Sequence, residues 1–207
     1  MENNQVQQDL ASIRNLMERS SKFLSLSGLS GILAGVYALV GAYLAYRVIN
    51  PFWSATYDQR GEVDDLLIIE KLLLIAVVVL GASLATGLIL SMRKARRTGQ
   101  KFWNAGSKAL IFNMSVPLLT GGALMLVFVW QREYWGIVAP ASLIFYGLAL
   151  VGAGNYTYKG VQYLGINEIL LGLIAAIYPG YGLYFWAFGF GVLHIVYGSF
   201  MYIKYDR

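Results

Sequence analysis

The chain has 207 residues, of which 57% are hydrophobic and 13% are charged, and its mean hydropathy is +0.56. Soluble domains are about half apolar and carry roughly twice this share of charge, so the composition excludes an ordinary soluble domain and predicts a helical membrane protein. The absence of cysteine and the single histidine exclude disulfides, thiolate metal centres, cysteine nucleophiles and paired-histidine haem ligation, and we predict neither a cofactor nor a metal site.

An amphipathic helix is predicted over residues 1–22, ahead of the first apolar segment. Val6, Leu10, Ile13 and Met17 recur at helical spacing with Gln, Arg and Glu residues between them, which is the pattern of a helix with one apolar face. Such a helix can lie on the bilayer surface, extend the first crossing into the cytoplasm, or dock against a partner helix. We expect residues 23–207 to form a single transmembrane domain.

Six apolar segments follow, and all but the fifth are near the ~20 residues that a helix needs to cross a hydrocarbon core of ~30 Å. They cover residues 24–46, 72–92, 109–130, 135–153, 164–178 and 182–203. The sequence therefore predicts an all-α integral membrane bundle of about six transmembrane helices. The fifth segment is short and turns into the sixth through residues 178–182, so a re-entrant hairpin is the alternative for this part of the chain.

The first segment carries a stripe of small residues. Ser27, Gly31 and Gly35 lie four apart, a spacing that lets two helix backbones approach closely in a membrane. The stripe predicts a packing seam, either within the bundle or between two protomers. Besides the lipid bilayer, the partners compatible with it are a second copy of the chain and another membrane protein.

Polar residues collect around a proline in the third segment. Asn113, Ser115 and Thr120 flank Pro117, which removes a backbone hydrogen bond and bends a helix. Irregular backbone at membrane depth is tolerated only against protein or water. These residues are candidates for a solute path, and a packing kink with hydrogen bonds between helices is the alternative.

Two ionisable residues, Glu168 and His194, are predicted to lie inside the apolar layer. Counted from the turn near Gly180, their depths along an antiparallel helix pair differ by only about 3 Å. An intramembrane carboxylate is costly unless it is paired or hydrated. We predict contact between the two side chains, either as a buried polar clamp or as a proton relay or ligand contact. In the remaining alternative, Glu168 reaches the headgroups at its helix end.

The net charge of +5 and the pI near 9.3 follow from the placement of the basic residues. With six crossings, the Lys and Arg residues are concentrated on the side of the N-terminus, and only Arg47, Arg60, Lys71 and Arg132 lie on the other side. The positive-inside rule then predicts a multi-pass protein of the plasma (inner) membrane with both termini cytoplasmic, and Tyr and Trp residues at the segment ends support it. No nucleic-acid partner is needed to explain the charge.

A Gly-Leu-Ser-Gly run at residues 28–31 and a histidine in the last segment resemble features of rhomboid intramembrane proteases. In that family the serine motif lies on the fourth helix, whereas Ser30 lies on the first. A serine nucleophile also needs an oxyanion hole and a base within hydrogen-bond reach, and no hole is identifiable in the sequence. We therefore predict no catalytic residues and no enzymatic activity.

Two functional hypotheses remain. The leading one is a non-enzymatic membrane component with an accessory, sensor or regulatory role. The alternative is a small proton-coupled solute transporter or channel that uses the kinked third helix together with Glu168 and His194. A water-filled cavity touching these polar residues would favour transport, whereas a sealed bundle would favour the first hypothesis.

Overall fold

The computed structural model describes residues 23, 25–50, 65–99, 101–131 and 134–206. Helices take up 87% of the described residues and none of them forms a strand, which confirms the predicted all-α class. The amphipathic helix predicted over residues 1–22 lies outside the described part of the chain and stays a prediction.

Six helices in the described residues are long and apolar enough to cross a membrane. Their bounds are α1 Gly28–Ile49, α2 Asp65–Arg97, α3 Ala105–Gln131, α4 Trp135–Gly154, α5 Lys159–Ile177 and α6 Gly182–Tyr205. Within α6, residues Ala187–Leu193 form a π-helical segment. The fifth segment, for which a re-entrant hairpin was the alternative, is a helix of 19 residues. At 1.5 Å per residue it is about 28 Å long, which is enough for a full crossing.

The largest difference from the predicted segments is at α2. This helix has 33 residues, whereas the apolar pattern covers only residues 72–92. Its ends carry charged residues such as Lys71 and Arg96, which interrupt the apolar run but are good helix formers. The helix therefore continues past the apolar layer at both ends.

Two groups of three helices make up the bundle. In the first, α1 packs between α2 and α6, and in the second, α4 packs between α3 and α5. The first half of α6 joins the groups because it also contacts α4 and α5. The outer helices α2 and α3 expose large apolar side chains such as Leu74, Val77, Phe112 and Leu119, which would face lipid in a bilayer.

Glycines set the distance between α1 and α6. A Cβ atom on Gly35 would lie 2.6 Å from the carbonyl oxygen of Gly191, and one on Gly31 would lie 3.1 Å from the Cα atom of Gly198. Contacts this close to backbone leave no room for a side chain, so the two helices meet backbone to backbone.

A second glycine pair brings α4 and α5 together. A Cβ atom on Gly147 would lie 2.6 Å from the carbonyl oxygen of Gly165, and the reverse distance is also 2.6 Å. Tyr146 is the immediate neighbour of Gly147 in α4, and Glu168 follows Gly165 by one helical turn in α5. This close approach therefore helps to hold both side chains near α6.

One end of the bundle, called here the basic end, is where α1, α3 and α5 begin and α2, α4 and α6 end. Two hydrogen bonds join the segment before α1 to the loop between α4 and α5: the Phe23 amide donates to the Tyr156 carbonyl oxygen (2.7 Å), and the Thr157 hydroxyl donates to the Phe23 carbonyl oxygen (2.8 Å). The C-terminal part of α2 also lies at this end and carries Arg93, Arg96 and Arg97. These arginines give the basic end its positive charge.

Candidate functional site

Glu168 and His194 lie side by side in the interior of the bundle. Their exposed fractions are 0% and 6%, and the His194 Nδ1 atom is 3.5 Å from the Glu168 Oε1 atom. An exposed fraction of zero means that a water-sized probe does not reach the Glu168 side chain, so no water-filled cavity touches it in this conformation. The structure therefore brings together the two ionisable residues whose contact the sequence predicts.

The π-helical segment holds His194 in place. Its Nδ1 atom lies 3.0 Å from the carbonyl oxygen of Gly189, five residues earlier. A carbonyl oxygen only accepts hydrogen bonds, so Nδ1 carries a hydrogen and donates it. Gly189 also lies against Glu168, because a Cβ atom at Gly189 would collide with the Oε2 atom. Single π turns of this kind occur frequently at functional sites.

Tyr146 of α4 completes the site. Its hydroxyl is 2.8 Å from the Nε2 atom of His194, and its ring lies 4.9 Å from the ring of Phe190 between centroids. The partly buried Tyr146 and the buried Glu168 and His194 thus form a cluster, called here the buried cluster, that joins α4, α5 and α6. Sequence reasoning missed Tyr146, although a tyrosine near the middle of an apolar segment is itself a signal, since tyrosines prefer the headgroup level.

The hydrogen bonds of the buried cluster allow two arrangements of its protons. Nδ1 donates to Gly189 in both, and the imidazole of His194 is neutral where Nε2 accepts from the Tyr146 hydroxyl and charged where Nε2 donates to it. No described residue donates a hydrogen bond to either carboxyl oxygen of Glu168. A lone buried charge is far more costly than a neutral group, so a neutral His194 would go with a protonated Glu168. Transfer of that proton to His194 would give an ion pair with the same net charge.

The polar residues of α3 do not join the buried cluster. Asn113 donates to the Ala109 carbonyl oxygen at 2.8 Å, and the Ser115 hydroxyl donates to the Ile111 carbonyl oxygen. The side chain of Thr120 is exposed on the outer surface, and α3 continues through Pro117. The polar groups that suggested a solute path therefore bond to their own helix or face outwards.

The small residues of α1 divide between two roles. Gly31 and Gly35 pack against α6 of the same chain, which is the first of the two arrangements that the sequence allowed. Ser27 lies just before the helix, where its hydroxyl donates to the Oδ2 atom of Asp206 at 3.0 Å. Gly28 has the close contact at this end of the seam, because a Cβ atom there would collide with the Tyr202 amide nitrogen.

Ser30 and His194 are not a catalytic pair in this arrangement. The Ser30 hydroxyl donates to the Ser27 carbonyl oxygen at 2.6 Å, while the imidazole of His194 bonds to Gly189 and Tyr146. A base that activates a serine must hydrogen bond to its hydroxyl. The geometry that defines the rhomboid-like mechanism is thus not formed by these residues.

A second polar cluster, which sequence reasoning missed, lies at the basic end. The Lys94 Nζ atom is 2.6 Å from the Asp206 Oδ1 atom and donates to the Leu26 carbonyl oxygen at 2.9 Å. The Gly28 amide donates to the other Asp206 oxygen at 2.8 Å, so this carboxylate sits at the start of α1, where the helix dipole favours a negative charge. Burial raises the pKa of the neighbouring Tyr158 hydroxyl, and Lys94 partly opposes this.

The six apolar helices define the class: this is a multi-pass helical membrane protein. Comparison of the chain with protein-family models, with curated proteins and with solved structures finds no match. Among the described residues, no group of three or more His, Cys, Asp or Glu side chains comes together as a metal site would require.

Proposed function

We propose that this chain is a non-enzymatic protein of the plasma (inner) membrane, an accessory, sensor or regulatory component whose state depends on protonation of the buried cluster. One observation carries the proposal. Glu168 is fully buried, its carboxyl oxygens receive no hydrogen bond from the described residues, and its neighbouring ionisable group is His194 at 3.5 Å. An ionisable residue at such a position is costly and is by default a functional hypothesis.

Protonation would act on three helices at once. If His194 takes up a proton at Nε2, the Tyr146 hydroxyl can no longer donate to that atom and has to reorient. The attraction between His194 and Glu168 changes in the same step. Because Tyr146 lies on α4, Glu168 on α5 and His194 at the end of the π-helical segment of α6, the proton affects the packing of all three helices.

A sealed interior supports a regulatory role over a solute path. The zero exposure of Glu168 leaves no room for water beside it, and Thr120 of the suggested path faces outwards. During its cycle a transporter has to open its site first to one side of the membrane and then to the other. The described conformation offers no such opening at Glu168.

The membrane and the orientation are also part of the proposal. We infer that both termini are cytoplasmic in the plasma (inner) membrane, because this arrangement puts the basic end, with Arg93, Lys94, Arg96 and Arg97, on the inner side. The opposite arrangement would reverse the distribution that the positive-inside rule describes.

Thermal unfolding of the purified protein across a range of pH tests the proton dependence. Glu168→Gln keeps the shape of the side chain and removes the titrating group, and Glu70→Gln, at an exposed position of α2, is the matched control. We expect the pH profile of the unfolding temperature to change in Glu168→Gln and to match the wild-type profile in Glu70→Gln. An unchanged profile in Glu168→Gln would contradict the proposal.

The second candidate function is a small proton-coupled transporter or channel. The observation in its favour is the same ionisable pair, because proton relays in membrane proteins use carboxylate and histidine side chains. Proteoliposomes with a pH-sensitive dye separate the two candidates. The regulatory proposal predicts no proton flux above that of empty liposomes. A flux that Glu168→Gln abolishes and Glu70→Gln retains would establish transport and overturn the regulatory proposal.

A further inference from the structure

A cleft of about 420 Å³ opens at the basic end between the start of α5 and the end of α6. Its lining includes Lys159, Gly160, Tyr163, Phe200, Lys204 and Tyr205. Lys159 precedes Glu168 by two and a half helical turns, about 13 Å along the helix axis. The cleft is therefore separate from the buried cluster and lies at the level where helices leave the apolar layer.

The charge of the cleft is positive. Two lysines line it and no carboxylate does, and neither lysine forms an ion pair with a described residue. The Lys204 Nζ atom lies 5.3 Å from the ring centres of Phe200 and Tyr205, so its contacts are with aromatic faces. The nearby Asp206 carboxylate already binds Lys94. The cleft therefore carries positive charge that a bound anion would neutralise.

An apolar face leads away from the cleft towards the middle of the bundle. On α5, Tyr163, Ile166 and Leu170 are exposed and recur at helical spacing. On α6, Phe200 and Val196 are exposed one turn apart. An extended hydrocarbon chain could lie along these side chains while its polar head occupies the cleft. A free phosphate ion would use the lysines but not this face.

We propose that the cleft binds the headgroup of an anionic phospholipid and that the acyl chains lie along the apolar face of α5 and α6. The two lysines neutralise the phosphate and the negative headgroup, and the aromatic rings occupy the interfacial level that they prefer. The N-cap residue of α5, Tyr158, makes no side-chain capping bond to the first turn, so the positive end of the helix dipole adds to the attraction. A zwitterionic headgroup would place its ammonium against the lysines, which disfavours it. This inference is independent of the proton-dependent function.

Native mass spectrometry of the intact protein with phosphatidylglycerol, phosphatidylcholine and inorganic phosphate tests the site. We expect phosphatidylglycerol to be retained in preference to phosphatidylcholine, without competition from phosphate. Lys159→Gln and Lys204→Gln should each weaken this binding about fivefold, and together about twenty-five-fold. Lys108→Gln, an exposed lysine near the same end, should leave the affinity unchanged.

Three results would overturn the proposal. The first is equal binding of the two phospholipids, and the second is displacement of the lipid by inorganic phosphate. The third is a loss of phosphatidylglycerol affinity in Lys108→Gln as large as in the cleft variants. If the lysine variants fail to fold, photolabelling of the wild-type protein tests the site instead. A phosphatidylglycerol with a photoreactive headgroup should label the peptides that contain Lys159 and Lys204, and labelling confined to other peptides would refute the site.

Discussion

At the scale of single residues, an ionised Glu168 would carry a large electrostatic cost that its surroundings only partly offset. Its side chain has no access to water, no described residue donates a hydrogen bond to its oxygens, and His194 is 3.5 Å away. Nearly all buried polar atoms in proteins have a hydrogen-bond partner, so an exception requires an explanation. The proton uptake and release proposed for Glu168 would account for this exception.

The contact between Glu168 and His194 predicts that their contributions to stability are coupled. In a double-mutant cycle of Glu168→Gln and His194→Ala, we expect a coupling of about 0.5–3 kcal/mol, because each change alters the surroundings of the other side chain. The cycle is measured by reversible unfolding in detergent micelles. Losses that add to within about 0.3 kcal/mol would mean that the two side chains do not interact.

The sequence predicted part of the buried cluster. Similar depth along an antiparallel pair follows from the rise per residue, and it made contact between Glu168 and His194 a reasonable hypothesis, on the condition that the two side chains face each other. Tyr146 could not be assigned in this way, because the choice of a third helix depends on the order of helices in the bundle and on the rotation of each. Asp206 and Lys94 are 112 positions apart, and no local pattern relates them.

At the scale of helices, glycines at the α1–α6 seam determine how closely the backbones pack. A Cβ atom on Gly198 would lie 2.5 Å from the Ile32 amide nitrogen and 2.8 Å from the Gly28 carbonyl oxygen. Backbone atoms cannot move aside as a flexible side chain can, so a substitution here must push the two helices apart.

This geometry predicts opposite effects for two glycine-to-alanine changes. Gly198→Ala should lower the free energy of unfolding by about 1–3 kcal/mol through overpacking. Gly81→Ala in α2 meets no atom within 4 Å and should raise it by about 0.5–1 kcal/mol, since alanine favours the helix. Both are measured by unfolding in the same detergent. A neutral or stabilising Gly198→Ala would contradict the described seam.

The helices themselves were more predictable than their internal irregularities. Length and hydropathy were enough to predict six helices, because the thickness of the bilayer sets the length of each crossing. The π-helical segment at Ala187–Leu193 was not predictable. Gly189 and Gly191 lie in this segment, but glycines are common in membrane helices and do not by themselves predict a π-helical turn. The position of this turn beside Glu168 follows only from the packing of α5 against α6.

At the scale of the whole molecule, the six crossings predict that successive loops alternate between the two sides of the membrane. The chain has no cysteine, so single cysteines report accessibility without background. With an impermeant thiol reagent, Gly180→Cys should react from the outside of intact cells. Asn155→Cys and Lys101→Cys should react only after the membrane is opened. Reaction of Gly180→Cys and Asn155→Cys from the same side would mean that α5 does not cross.

The most direct test of the central claim, a proton site at Glu168, is pH-difference infrared spectroscopy of the protein in lipid. A protonated carboxyl group absorbs apart from an ionised one, so the difference spectrum reports its titration. We predict a protonated-carboxyl band in the wild-type spectrum that is lost in Glu168→Gln and retained in Glu70→Gln. A wild-type spectrum without such a band, or a Glu168→Gln spectrum with an undiminished one, would contradict the account.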